Sequence, residues 1–199
     1  MKILLTGGGT GGHFYPILAV ARALKKLAQT EGIVHMDLLY LSDHPFDAEM
    51  LGQIGIRYHR IPAGKVRRYF SLWNVTDIVK TTAGMAVAVW RALYEVPDVV
   101  FAKGGYASFP ALVAARLLNI PVVIHESDTV PGRVNRWAAR FAKRVAIAFP
   151  EAAEFFPKEK TALVGNPVRS EVVGGNKEEA AVIFGATTAP TVLILGGSQ

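Results

Sequence analysis

The sequence predicts an α/β protein built on a doubly wound parallel sheet. Three observations carry this. Short apolar runs alternate along the chain with longer stretches of helical spacing. The short runs are apolar at consecutive positions, the pattern of strands buried on both faces. Glycine clusters stand where two of these runs give way to a helical stretch, as β-to-α turns do at the carboxyl edge of such a sheet.

Taken in order, residues 2–6 (KILLT) form a first strand that ends at glycines. Residues 15–30 form a helix on which Ile17, Val20, Ala21, Leu24 and Leu27 share a face, with Lys25 and Lys26 off it. Residues 36–42 are a second strand, 46–53 a short helix and 57–61 a third strand. Residues 71–94 make a long helix with Gly84 near its middle. A fourth strand covers 97–102, and a helix covers 107–119, where Pro110 suits the first turn. Residues 120–125 are a fifth strand, 132–143 a basic helix, 144–148 a sixth strand and 161–164 a short last strand. This order makes the sheet Rossmann-like, with ligands expected at the carboxyl ends of the strands.

The end of the chain reads differently. After GNPVR (165–169), Gly174 and Gly175 form a pair, Asn176 is placed to cap a short helix, and 191–195 (TVLIL) reads as a fresh strand running into GGSQ. One strand and one helix cannot bury a core. Residues 1–165 are therefore expected to form a complete domain, and 166–199 a linker and the truncated start of a second one.

Of the 199 residues, 51% are hydrophobic and 19% charged, which excludes disorder as the main state. Without cysteine there is no disulfide scaffold, Cys-ligated zinc, iron–sulfur cluster or thiol nucleophile. The net charge of +6 favours an anionic partner: nucleic acid, a phosphorylated ligand or an anionic lipid surface. No stretch approaches the ~18–20 apolar residues of a membrane span. The apolar run Ile3–Leu5 is too short for a signal-peptide core. The expectation is a soluble or membrane-surface protein on the cytoplasmic side.

Two glycine loops carry the chemistry. In GGGTGGH, Gly7, Gly9 and Gly12 satisfy G-x-G-x-x-G directly after the first strand. Such a loop gives a tight turn and aims free N–H groups at a diphosphate. KGGYASFP (103–110) repeats the arrangement after the fourth strand. Each alone is also an ordinary strand-to-helix turn; together they suggest a cradle for one pyrophosphate. His13 follows the first glycines, either as a polar residue at a helix start or as a general base. HESDTVPGRVNRW places His125, Glu126, Ser127 and Asp128 where the fifth strand meets the cleft, with Asn135 early in the next helix. No histidine pair has metal-ligand spacing.

A basic–aromatic segment, KVRRYFSLW, contains Lys65, Arg67, Arg68, Phe70 and Trp73. Arg133, Arg136, Trp137, Arg140, Lys143 and Arg144 form a second basic set. Both fit a membrane interface, nucleic-acid contacts or a solvated face with its aromatics turned inward.

The ordered motifs GGGTGGHFYP, KGGYASFP, IHESDTVPGRVN, GNPVR and GGSQ resemble the MurG family of bacterial peptidoglycan synthesis. Members carry two Rossmann-like domains facing a cleft, the GT-B architecture, and this chain resembles the N-terminal half. The resemblance implies transfer of N-acetylglucosamine from UDP-GlcNAc to the C4 hydroxyl of lipid I, with inversion, to form lipid II. It implies donor contacts at Thr10, Gly11, Gly12, Asp128, Arg169 and Ser198. Asp128 stands where many members have Asn, and a carboxylate cannot donate the amide's hydrogen bond. It implies acceptor-diphosphate contacts at Gly9, Gly104, Gly105 and Tyr106, a base at His13, and polar cleft positions at Glu126 and Asn135. Lys65, Arg67, Arg68, Phe70, Trp73 and Arg140 would meet an anionic membrane surface. The implied partners are UDP-GlcNAc, lipid I (undecaprenyl-pyrophosphoryl-MurNAc-pentapeptide) and that surface, with no nucleic acid, cofactor or metal. The implied location is peripheral, on the cytoplasmic face of the cell membrane. The isolated chain is expected to bind acceptor or membrane without turnover.

Two other readings remain at this stage. A nicotinamide-dependent oxidoreductase domain would want an acidic residue ~20 residues beyond the glycines. Asp43 lies near a strand end, but farther along than that. A non-catalytic module binding membrane or nucleic acid would rest on the net charge of +6 and the basic–aromatic segments.

Overall fold

The computed structural model describes residues 1–8, 10–64, 73–185, 192 and 194. Seven strands form one parallel sheet: β1 (Lys2–Thr6), β2 (Asp37–Ser42), β3 (Ile56–Arg60), β4 (Val99–Ala102), β5 (Val122–Glu126), β6 (Arg144–Ile147) and β7 (Thr161–Leu163). Their order is β3-β2-β1-β4-β5-β6-β7. The direction of winding reverses between β1 and β4, which pair directly from Ile3↔Val99 to Thr6↔Ala102. In doubly wound sheets that reversal opens a crevice at the carboxyl ends.

The consecutive apolar residues of the strands are explained by a core on each face. Ile3, Leu5, Leu38 and Tyr40 pack with Phe14, Ile17 and Leu18 of α1 (Gly11–Thr30) and with Leu51 of α2 (Ala48–Ile54). Leu4, Leu39, Leu41, Val100 and Ile124 face the other way, onto α3 (Trp73–Glu95) and α4 (Phe109–Leu117). Small residues at that contact, among them Ala88, Ala92, Ala111 and Ala115, are fully covered. Gly84 belongs to the same packing. A Cβ there would run into the carbonyl of Pro62, so glycine in mid-helix is a close-approach residue rather than a weak point.

Several boundaries differ from the sequence expectation. Helix α1 begins at Gly11 rather than residue 15 because the glycines themselves form its first turn, with Thr10 as the N-cap position. Its buried face is Phe14, Ile17, Leu18, Ala21 and Ala28, whereas Leu27 is 53% exposed. The face is rotated because Phe14 and Leu18 compete for the sheet. Lys25 lies half-buried at its edge, where its ammonium caps the Ile54 carbonyl at the end of α2. The basic helix is shorter than expected: α5 spans Arg133–Ala138.

Beyond the sheet, α6 (Lys177–Phe184) forms where expected. Asn176 Oδ1 accepts from the N–H groups of Glu178 (2.8 Å) and Glu179 (3.2 Å), and Gly185 ends the helix in a left-handed conformation. None of the α6 residues is buried. Of the strand expected over 191–195, only 192 and 194 are among the described residues. No helix among the described residues is long and apolar enough to cross a membrane.

Candidate functional site

The two glycine loops meet where β1 and β4 lie side by side. The first is held from below. The buried Tyr40 hydroxyl donates to the Gly7 carbonyl at 2.6 Å, and Thr6 Oγ1 donates to the Leu41 carbonyl at 2.8 Å. Thr10 is extended and exposed, and its side chain makes no capping bond to the helix. Gly11 and Gly12 follow in the first turn, where their N–H groups have no intrahelical acceptor, while His13 N–H already bonds the Thr10 carbonyl at 3.1 Å. Pro16 offers no N–H to the Gly12 carbonyl, which further opens this turn. Gly9 lies outside the described residues.

The second loop touches the first through His13. Gly105 has φ +83, and a Cβ on it would sit 2.9 Å from the Gly8 carbonyl and 3.2 Å from His13 Nε2. Only glycine permits both the conformation and the approach. His13 is half-buried, and its Nδ1 is buried with no hydrogen-bond partner among the described residues. Burial first, and the Lys103 ammonium second, hold its pKa below the usual 6.5. Glu126, Asp128 and the Lys103 carbonyl act in the opposite sense. The net result is an imidazole favoured in its neutral, proton-accepting form.

The loop after β5 is organised by one carboxylate. Glu126 Oε1 accepts from the N–H groups of Ser127 (2.8 Å) and Asp128 (3.0 Å), and Oε2 from Gly132 N–H (3.0 Å) and Asn135 Nδ2 (3.0 Å). Asn135 Nδ2 also donates to the His125 carbonyl at 3.1 Å. Its amide therefore faces the loop rather than solvent, and its Oδ1 is buried with no partner among the described residues. Gly104, at φ +88, packs against this amide: a Cβ there would lie 2.7 Å from Nδ2. His125 Nε2 lies 2.9 Å from the Gly165 carbonyl, tying β5 to the segment after β7. Burial lowers its pKa also.

That segment closes over α1. The Arg169 guanidinium stands 4.0 Å from the Tyr15 ring centroid. Gly11, Gly12, Tyr15, Ser127, Asp128 and Arg169 line one cleft of about 580 Å³. The structure thus gathers four of the six residues expected at a donor site, with Thr10 adjacent in the chain and Ser198 outside the described residues. Gly104, Gly105, His13, Glu126 and Asn135 do not line this cleft; Gly105 meets His13, and Gly104 meets Asn135, behind it. Glu126 and Asn135, expected as cleft positions, spend their bonds on the loop itself.

Tyr106, expected at an acceptor diphosphate, donates its hydroxyl to Asp43 Oδ2 at 2.6 Å. Burial and that carboxylate push its pKa well above the ordinary value. The same bond engages Asp43, the acidic residue after β2. Of the expected membrane residues, Lys65, Arg67, Arg68 and Phe70 lie outside the described residues, and Trp73 begins α3. Arg140 lines a separate cavity of about 480 Å³ with Arg133, Arg136, Trp137 and Phe155. Trp137 is half-buried against Phe109 and Phe141.

Sequence reasoning missed Lys103. It ends the apolar run VVFA, is 1% exposed, and donates from Nζ to Ser127 Oγ at 2.7 Å. A cation directly after an apolar strand and before two glycines was the available signal. Among the described residues, no group of three or more histidine, aspartate or glutamate side chains is placed to hold a metal ion.

Comparison with known proteins places this geometry. The model of the glycosyltransferase family 28 N-terminal domain matches residues 3–147. A protein of Bacillus thuringiensis (strain Al Hakam), named UDP-N-acetylglucosamine--N-acetylmuramyl-(pentapeptide) pyrophosphoryl-undecaprenol N-acetylglucosamine transferase 3, is 39% identical over 199 residues, covering 99% of this chain and 54% of the relative. A transferase with the same name, without the number, from Clostridium botulinum (strain Hall) is 40% identical over the same shares. The chain spans about half the length of the curated relatives it matches (54%). The crystal structure of Acinetobacter baumannii MurG superposes with TM-score 0.64 at 29% identity, over 86% of this chain and 46% of that one. UDP-GlcNAc 2-epimerase of Neisseria meningitidis, bound to UDP-GlcNAc, shares the fold at 18% identity and TM-score 0.58, over 83% of this chain and 46% of that one.

Proposed function

The chain belongs to glycosyltransferase family 28 through that family's N-terminal domain, and on that premise we propose that it serves the transfer of N-acetylglucosamine from UDP-GlcNAc to the C4 hydroxyl of lipid I, forming lipid II for peptidoglycan. Its fold is that of the N-terminal half of a GT-B glycosyltransferase. Residues 1–165 are the acceptor-binding domain in this reading, and 166–199 a linker and the start of a donor-binding domain. The protein sits peripherally on the cytoplasmic face of the cell membrane, with Arg140 and the 65–73 segment toward anionic lipid.

The observation that carries the proposal is the shared cleft of Gly11, Gly12, Asp128 and Arg169 beside a partly buried His13. The chemistry follows from what each can do. Neutral His13 accepts the proton of the C4 hydroxyl as its oxygen bonds to the anomeric carbon. The bond from that carbon to the UDP oxygen breaks on the opposite face, which inverts the centre, and UDP leaves with the electron pair. Arg169 and the N–H groups of the first turn of α1 face developing negative charge. The Gly104–Gly105 loop, which lies against Gly8 and His13, offers backbone N–H groups to the acceptor diphosphate in this reading. A nicotinamide reading finds no support: Asp43 is engaged by Tyr106, and the relatives are named as glycosyltransferases.

The deciding experiment is co-sedimentation of the chain with anionic liposomes, with and without lipid I, at low and moderate salt. Binding that depends on lipid I and survives moderate salt is expected. Binding to both liposome types that vanishes with salt would reduce the role to a basic surface patch. Turnover by the isolated chain, read as UDP release, is expected to be absent.

A further inference from the structure

A lysine buried without a carboxylate partner is costly, because removal from water penalises its charged form. Lys103 is such a residue. It is 1% exposed, and among the described residues no Asp or Glu oxygen lies within ion-pair distance of it. Among the described residues its Nζ has one hydrogen-bond partner, Ser127 Oγ at 2.7 Å, so two of its three donors have none there. Its backbone is fixed by Lys103 N–H donating to the Thr6 carbonyl at 2.9 Å. The first glycine loop lies against it, since a Cβ on Gly7 would stand 3.0 Å from Lys103 Cβ. A residue placed only for packing would serve better as Met or Leu.

The groups around it indicate what the charge does. Lys103 feels the carboxylates Glu126 and Asp128 on the loop after β5. It acts in turn on His13 of α1 and His125 of β5. For His13, the other charged groups are again Glu126 and Asp128. Two carboxylates near an imidazole would favour its protonation, and the Lys103 charge acts in the opposite sense.

We propose that Lys103 is a positioning residue for this crevice: its buried ammonium ties the loop after β5 to the end of β4 through Ser127, and sets a positive charge beside His13, whose ring meets Gly105 two residues further on. The role of His13 as base rests on the proposed function. The electrostatic pairing itself is testable without substrate.

The imidazole of His13 is titrated by NMR in the native chain and in Lys103→Met, Lys103→Arg and Ser127→Ala. Lys103→Met is expected to raise the His13 midpoint by about half a unit to one unit. Lys103→Arg should keep it near the native value, and Ser127→Ala should move it little while speeding amide exchange in the loop from 127 to 132. The melting temperature of Lys103→Met should rise, where a merely structural lysine would lose stability. The nitrogen shift of Lys103 Nζ in the native chain provides a reading that needs no variant: an ammonium at neutral pH supports the proposal, a neutral amine overturns it. An unmoved His13 midpoint in a folded Lys103→Met also overturns it. Failure to bind lipid I would sink the transferase reading and leave these titrations unchanged, so the two failures are distinguishable.

Discussion

The guanidinium of Arg169 lies 4.0 Å from the centroid of the Tyr15 ring, so the segment after β7 closes onto the helix that carries His13. A cation over an aromatic face contributes ~0.5–2 kcal/mol, most when water is excluded. Tyr15→Leu keeps an apolar side chain and removes the ring face. It is expected to shift the resonances of residues 166–169 toward those of a free segment, consistent with a loss of ~1 kcal/mol of local contact, and to leave the sheet unchanged. Resonances that stay native in this segment would show that the His125–Gly165 contact holds it without the ring.

Gly105 is the tightest junction between the two glycine loops. Gly105→Ala would combine a φ of +83 with a Cβ 2.9 Å from the Gly8 carbonyl. Left-handed strain at a non-glycine residue costs ~1–3 kcal/mol, and the carbonyl cannot yield without moving the first loop. The expected result is a loss of ~2 kcal/mol in denaturant unfolding together with a shift of the His13 ring resonances. A variant of native stability with unmoved resonances would contradict the described contact between the loops.

Three imidazoles give the stability a defined pH dependence. His13, His59 and His125 are all held below the usual 6.5, in each case chiefly by burial. The unfolded chain therefore takes up protons at higher pH than the folded chain does. Stability is fully present above 6.5 and falls as the pH drops below it, until the native imidazoles protonate in turn. Glu95, held below 4.5 first by its bonds from Arg57, adds a loss of the same sign at lower pH. Melting temperatures measured by calorimetry should decline steadily from neutral pH into the acid range. A flat profile across the histidine range would mean that these side chains are hydrated in solution.

The site was readable in the sequence where chemistry depends on backbone, and unreadable where it depends on burial. Glycine clusters after apolar strands marked both loops, because a turn that approaches another backbone needs residues without Cβ. The extent of α1 was misjudged for the same reason: glycine disfavours helix interiors, yet Gly11 and Gly12 occupy a first turn whose N–H groups need no helical partner. Leu27 counted as apolar by spacing, but spacing does not rank it against Phe14 and Leu18 for the sheet. In the sequence Lys103 stands only as the edge of KGGYASFP. Its significance comes from the layers above and below β4, which no local pattern records.

Glu126 shows how one side chain can specify a loop. Its two oxygens accept four N–H groups, three from the backbone between Ser127 and Gly132 and one from Asn135. Glu126→Gln preserves shape but replaces one acceptor oxygen with a donor, so two N–H groups lose their partner and the new amide points at them. Buried donors left unsatisfied cost ~1–3 kcal/mol each. The expected loss is about 3 kcal/mol in unfolding free energy, with amide exchange rising first at Ser127, Asp128 and Gly132. The Lys103–Ser127 contact should loosen with them, since Ser127 is placed by its own N–H bond to Glu126. Native exchange at those three amides would show that Asn135 and the His125–Gly165 contact suffice to hold the loop, and would make Glu126 a residue of the cleft instead.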